Sequence, residues 1–296
     1  MNLKNIVDWA LDKSQFKTVE DYSAFCRAYL DFIYNGLQAV IVSKNENNYQ
    51  FFQYKKDGNF NVSRPINSKL FLSTESFDKD FSEFAKLLRN IKDIKNDKNS
   101  REILNKTVYT YQQSIGAALD ALTAGKSNFA RKLNGDLFER FILLLLEKIG
   151  ISATGGFVNI PVKVAGKTLF DMRYQHDLLI KKNNKIKAIG SVKTSSKDRI
   201  DKIFIDKFLH NKLTDTNTPH FAIFLNDVQR KGTEKNFGIN TTFLTGHFKG
   251  YTVKLNPLDG VYYCDIRPNM LTEDILKDNI RTLDYLFVED IWKFLI

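Results

Sequence analysis

Over residues 1–45 the apolar side chains Tyr22, Phe25, Tyr29, Phe32 and Ile33 recur at helical spacing, which predicts helices with one buried stripe. The period then tightens to that of a strand: NYQFFQY and NFNVS flank KKDG and predict a hairpin turning at Asp57-Gly58. Phe77, Phe81, Phe84 and Leu88 restore the helical period from about Thr74. It fails in IKDIKNDKNSR, the most charged and least patterned stretch, which marks the best candidate boundary near residue 98. Ser100 as a cap, with Glu102 in the following turn, predicts a helix that stops at Gly125. NGDLFERFILLLLEKIG predicts another that ends at Gly150, apolar nearly all round from Phe141 to Leu146 and so buried on more than one side.

Beyond Gly150 the period changes from helix to strand. FVNIPVKV, TLFDMRY, HDLLI and IKAIGSVK, with turns at Ala165-Gly166-Lys167 and Asn183-Asn184, predict an antiparallel meander. A helix from about Ser196 to His210 follows, then PHFAIFLNDV, FKGYTVKL and GVYYCDI as strands, and a last helix through DILKDNIRTLDYLF capped by Thr272. This order gives an α/β fold with a mixed sheet flanked by helices, divided into a mainly helical region over 1–98 and a second unit over 99–296.

The totals narrow the partners. At 296 residues, 43% hydrophobic and 26% charged, the chain can bury a sizeable core. Lys and Arg outnumber Asp and Glu by 44 to 34, a surface suited to a polyanion such as nucleic acid. Cys26 and Cys264 form no CxxC pair, so neither a disulfide framework nor a zinc ribbon is expected, and a reducing cytoplasm fits. The longest apolar run is far short of a membrane span, and MNLKNIVDWALDKSQ breaks its apolar residues with charge, so no membrane or export role is expected.

The chemistry is concentrated between Gln175 and His210. Asp177 stands just before the apolar run Leu178-Leu179-Ile180, at a strand end. The Asn183-Asn184 turn brings the next strand back beside it, and alternation puts Ser191 and Lys193 on one face, the lysine within reach of Asp177. On the helix that follows, Arg199, Ile203, Asp206 and His210 share a face, with Ile200, Phe204 and Phe208 as the adjoining anchor stripe. Asp206 is therefore expected to point at the strand ends as a second carboxylate. Phosphodiester hydrolysis needs a divalent cation on hard oxygens, an in-line water and positive charge on the phosphoryl oxygens, and two carboxylates with one lysine supply that set. Taken singly, Asp177 also reads as a strand-edge acid, Lys193 as a solvated strand end and Asp206 as a solvated helix acid. Asp171 is a rival for the first carboxylate, farther from any apolar run.

In this stretch the chain resembles the PD-(D/E)XK nucleases. His176 replaces the usual proline and Ser191 the usual acid, but S-x-K with the acid moved onto the next helix is the pattern of the EcoRII, PspGI and NgoMIV type of restriction enzyme. Ser191-Val192-Lys193 matches it, and Asp206 stands where EcoRII-like enzymes have a Glu. Lys197-Asp198-Arg199 looks like the family's segment that reads C·G pairs in the major groove, where Arg bridges guanine O6 and N7 and Asp accepts from cytosine N4. Glu139, in GDLFERF, matches the family's glutamate on a preceding helix near the metal. The resemblance implies a type II restriction endonuclease that uses Mg²⁺ on Asp177 with Asp206, Glu139 or both. It would leave 5′-phosphate ends on double-stranded DNA and work as a homodimer or a tetramer.

Rival motifs fail. Gly125-Lys126-Ser127 and Gly166-Lys167-Thr168 lack the first glycine of a phosphate loop, which is Asp120 in one case and Pro161 in the other. His176, His210, His220 and His247 show no paired metal spacing. The lysines at 181–187 and 229–235 are expected to be solvated or to touch phosphates. A structure-specific repair or junction nuclease and a non-catalytic DNA-binding protein are the alternative roles, and residues 1–98 are expected to serve dimerisation, DNA recognition or an effector. Trp292, Phe294, Leu295 and Ile296 form an apolar tail available as an interface.

Overall fold

Side-chain caps set the first helix starts: Asn2 caps α1 (Leu3–Leu11), and Thr18 and Asp21 form a reciprocal capping box on α2 (Val19–Gly36). The computed structural model describes residues 1–296 apart from 57, 58, 123, 198 and 233–235. After α2 the chain departs from the helix expected through residue 45. Ala39–Val42 is a strand, β1, because its β-branched run alternates between half-buried and exposed positions. β2 (Tyr49–Lys56) and β3 (Asn59–Val62) form the expected hairpin, whose turn Asp57-Gly58 lies outside the described residues. β1 pairs with the other edge of β2, whereas the short β4 (Ile66–Asn67) continues along the β3 edge, so that Gln50 faces Val42 on one side and Ile66 on the other.

Ser73 caps α3 (Thr74–Arg89). α4 (Lys98–Leu119) is capped by Asp97 and not by Ser100, since Asp97 Oδ1 accepts from the N–H groups of Asn99 and Ser100 at 3.1 and 3.2 Å. It ends short of Gly125, where Asp120 turns aside to hold the Arg64 guanidinium at 2.9 Å. α5 (Ser127–Lys148) closes at Gly150, whose φ of +83° suits glycine. α4 is buried over most of its length, with α1, α2, α3 and α5 packed around it. One core joins Ile6, Tyr22, Phe84, Phe141, Leu178 and Ile291.

β5 (Ala153–Val164), β6 (Lys167–Lys182) and β7 (Lys185–Lys193) form the predicted antiparallel meander, with TLFDMRY and HDLLI fused into the single strand β6. Asn183 and Asn184 take the positive φ that a two-residue hairpin turn requires. α6 (Ile200–Thr214) then crosses to β8 (His220–Phe224), which lies parallel to β7. Ile200 and Phe204 anchor α6 as expected, but Phe208 does not, being 37% exposed.

β9 (Val228–Lys231) and β10 (Gly238–Thr241) form a separate hairpin whose Val228, Phe237 and Ile239 pack on Tyr49 and Phe51 of β2. FKGYTVKL is helical, not extended: α7 (Thr245–Lys254) sets Phe248 and Tyr251 three residues apart, and both rings land on Phe204 with centroids 5.6 and 5.4 Å away. β11 (Gly260–Tyr263) is the expected strand.

In place of the last helix predicted after Thr272 the chain forms α9 (Leu276–Asn279), β12 (Ile280–Thr282) and a π turn over Leu286–Asp290, preceded by α8 (Pro268–Thr272) and followed by α10 (Ile291–Phe294). Thr272 closes α8 and bonds back to Pro268, while the open edge of β11 captures Ile280–Thr282 as a parallel partner. The central sheet runs β12-β11-β8-β7-β6-β5, parallel on one side and antiparallel on the other. α5 covers one face and α6 with α7 the other. Trp292, Phe294 and Leu295 lean on this core. Among the described residues no helix is long and apolar enough to cross a membrane.

Candidate active site

Asp177 sits at an irregularity of β6. Thr154 pairs with Leu179 and Gly156 with His176, so one residue of β5 faces two of β6, a β-bulge at Asp177-Leu178. Gly155 stands opposite, and a Cβ there would meet the Asp177 carbonyl at 3.1 Å, so the missing side chain lets β5 close on the bulge. The regular β6–β7 ladder begins only at Leu178–Gly190. Just beyond it the Val192 N–H donates to Asp177 Oδ2 at 2.9 Å, which fixes the carboxylate against β7. The Gly155-Gly156 pair inside a strand pattern is the sequence signal for this bulge.

Lys193, the last residue of β7, donates from Nζ to Asp177 Oδ2 and to Glu139 Oε1, the latter at 3.2 Å. One ammonium thus bridges carboxylates from β6 and α5. The three side chains are 16% (Asp177), 32% (Glu139) and 29% (Lys193) exposed, open enough for a hydrated ion or a phosphate to reach them. Burial raises the Glu139 pKa above its ordinary value and the Asp177 charge raises it further, against the lowering effect of Lys193. α5 itself is braced from the N-terminal region. Arg140 Nη1 donates to the carbonyls of Lys13 at 2.6 Å and Phe16 at 3.3 Å, the Tyr22 hydroxyl donates to the Leu137 carbonyl at 2.7 Å, and Lys13 pairs with Asp136.

The other predicted residues stand apart from this bridge. Asp206 accepts from Lys202 one turn earlier at 2.5 Å and has no hydrogen bond or ion pair, among the described residues, with Asp177, Glu139 or Lys193. Its charge instead acts on His176 and Tyr174. Ser191 is half-buried on β7 beside Ala222 of β8. The rival Asp171 is exposed, opposite Pro161. Lys197 donates to Gln229 of β9 at 3.2 Å and Arg199 is exposed at the start of α6, whereas Asp198 lies outside the described residues. Thr242, which the sequence did not single out, braces this loop: its hydroxyl meets those of Ser195 and Ser196 at 3.4 and 3.3 Å.

His176, His210 and His220 form a buried cluster with ring centroids 5.2–6.4 Å apart. Burial lowers all three pKa values, to about 4 for His210 and about 3 for His220, so the rings are neutral at physiological pH. Among the described residues no three His, Cys, Asp or Glu side chains converge as ready metal ligands. The donor set at Lys193 is two carboxylates, which suits Mg²⁺, since that ion keeps several waters and takes one or two carboxylates. Two carboxylates repelling across one lysine are also what a divalent cation would relieve.

No sequence-family model matches the chain, and no curated protein matches it in sequence. Solved structures do. The type IIP restriction endonuclease Kpn2I is similar over 99% of this chain and 97% of its own, with a TM-score of 0.73 and 21% identity. The restriction endonuclease PspGI in its substrate DNA complex aligns over 74% of this chain and 92% of its own at a TM-score of 0.41 and 14% identity, too loosely to carry an argument. From end to end the chain therefore has the fold of the restriction endonuclease Kpn2I.

Proposed function

We propose that the protein is a type II restriction endonuclease that hydrolyses double-stranded DNA at a specific sequence, with Mg²⁺, and leaves 5′-phosphate and 3′-hydroxyl ends. The observation that carries this reading is the Lys193 ammonium joining Asp177 and Glu139 at the end of a hairpin. Asp177 and Glu139 would hold Mg²⁺, which when bound supplies positive charge to the scissile phosphate. Lys193 orients the attacking water and neutralises charge that builds on the phosphoryl oxygens as the new P–O bond forms and the P–O3′ bond breaks. The Val192 N–H keeps Asp177 aimed while Lys193 exchanges partners. Lys197, Asp198 and Arg199 follow the catalytic strand directly and would read base edges from the major groove. Cutting both strands of a palindrome calls for two copies related by a two-fold axis.

Supercoiled DNA incubated with Mg²⁺ and the protein tests this. Discrete fragments from long DNA, lost in Asp177→Ala and Lys193→Ala, are expected. Intact DNA at every salt and Mg²⁺ concentration refutes the enzyme, cutting confined to branches or mismatches refutes sequence specificity, and active variants refute the site.

A further inference from the structure

The turns of α5 that precede Glu139 carry charge and open space that neither the core nor the Lys193 bridge uses. At ~100° per residue, Asn128, Lys132 and Gly135 lie within about 40° of Glu139 on one helix face, and Arg131 borders it. Asn128, Arg131 and Lys132 are exposed, and the stretch from Lys126 to Lys132 holds three cations and no acid. Arg131 Nη1 meets Asn128 Oδ1 at 3.4 Å, a neutral partner that a phosphate can replace. Asp136, which would repel a phosphate, is neutralised by Lys13. Gly135 is an independent observation. It lies in the interior of α5, where glycine is the poorest helix former after proline. A Cβ built on it meets no described atom within 4 Å, so packing does not ask for glycine either. What the missing side chain leaves is bare helix between Lys132 and Glu139, where another backbone can come close.

We propose that this face of α5 is the track along which a DNA strand reaches the site, with Arg131 and Lys132 on its phosphates and Gly135 making room for its sugar–phosphate backbone. The inference rests on the nuclease reading, in which the scissile phosphate must reach Lys193 beside Glu139. Beyond Glu139 the helix is closed to a strand, because Ile142, Leu145 and Leu146 are buried in the core, whereas the turns before it are open. Lys132 stands about 10 Å of helix before Glu139 at ~1.5 Å per residue, the advance of about three nucleotides at ~3.4 Å each. Charge selects nucleic acid over a protein partner. Among the described residues of these turns Phe129 is the one large apolar side chain left exposed, too little for an apolar interface.

Phosphate contacts carry no sequence information, so the test needs no knowledge of a target sequence. Binding of the full chain to a random duplex of about 30 base pairs is followed by fluorescence anisotropy across a salt series, with EDTA in place of Mg²⁺. Arg131→Ala with Lys132→Ala should weaken binding about tenfold or more and flatten the slope of log Kobs against log salt by about 1.8, at ~0.9 per phosphate contact. Gly135→Gln should weaken binding about tenfold while its urea midpoint stays at or above the parent's, since glutamine is the better helix former. A parental slope in the double variant, or parental affinity in Gly135→Gln, overturns the proposal. So does a Gly135→Gln that loses stability along with affinity, because the glycine then serves the fold. A parent that binds polyglutamate as tightly as the duplex assigns the face to acidic chains and overturns the duplex. None of these measurements uses cleavage. A protein that shows the expected losses but never cuts DNA sinks the nuclease reading alone, and an enzyme that cuts DNA with an unchanged slope in the double variant sinks this track alone.

Discussion

Asp227, between β8 and β9, should make the protein less stable as pH rises, and Asp227→Asn should remove that dependence. The side chain is 2% exposed, and among the described residues its nearest countercharge is Arg267 Nε at 3.9 Å and Oδ1 has no hydrogen-bond partner. Burial raises its pKa from the ordinary 3.8 to about 7, with the nearby Asp265 charge adding to the rise and Arg267 opposing it. The sign follows from linkage: between these two values the unfolded chain has released a proton that the native state keeps, so stability falls with rising pH. The fall begins near 3.8 and levels off above about 7. At about 1.36 kcal/mol per pH unit the whole window is worth about 4 kcal/mol. Asp265, whose pKa burial raises to about 6, titrates in the same range, so the readout is the difference between parent and variant. Urea unfolding followed by tryptophan fluorescence from pH 4 to 8.5 should show Asp227→Asn gaining on the parent as pH rises, by several kcal/mol overall. A parent–variant difference that stays constant within about 0.5 kcal/mol across the window would refute the reasoning.

Glu139→Gln should cost at least about 100-fold in cleavage rate, and Asp206→Asn less than about tenfold, because Glu139 meets the Lys193 ammonium whereas Asp206 pairs with Lys202; the reverse order under single-turnover conditions moves the second carboxylate to α6. Because the Glu139 pKa is raised, the Mg²⁺ concentration for half-maximal cleavage should climb as pH falls, from a point above the ordinary 4.5. Mg²⁺ titrations at several pH values check this, and an identical profile in Glu139→Gln contradicts it. A Cβ at Gly190 would lie 2.5 Å from the Phe221 ring, which is fully buried and cannot swing away, so Gly190→Ala should lose about 1–3 kcal/mol. Urea midpoints test that, and an unchanged midpoint shows that β7 gives way.

The local part of the fold was legible in the sequence and the non-local part was not. The β5–β7 meander rests on neighbouring alternation and on Asn183-Asn184, both visible in a few residues. Asp177 and Lys193 follow from that hairpin by chemistry alone. Glu139 reached the site through resemblance, because nothing local says which side of an apolar helix meets a strand end 54 residues later. Phe248 and Tyr251 misled because aromatic residues among Val and Thr suit a strand as well as a helix, and their contact with Phe204 decided between them. Ile280–Thr282 is a strand only because β11 has an open edge, a property of the assembled sheet. Asp206 was placed by spacing, which gives a helix face but not the pull of Lys202.

The extra residue at Asp177 has a wider consequence. Phe170, Met172, Tyr174, His176, Leu178 and Ile180 occupy every second position, an unbroken alternation that reads as one face of one strand. The bulge inverts the parity within it, so Leu178 and Ile180 join the core under α5 while His176 turns to His210 of α6. β6 is thus written in two frames, and the frame changes at Asp177, the residue that the proposed chemistry needs at the surface. Substitutions in the outer part of β5 and β6 change a face that the inner core never sees, so that part can vary without repacking the scaffold that holds Asp177.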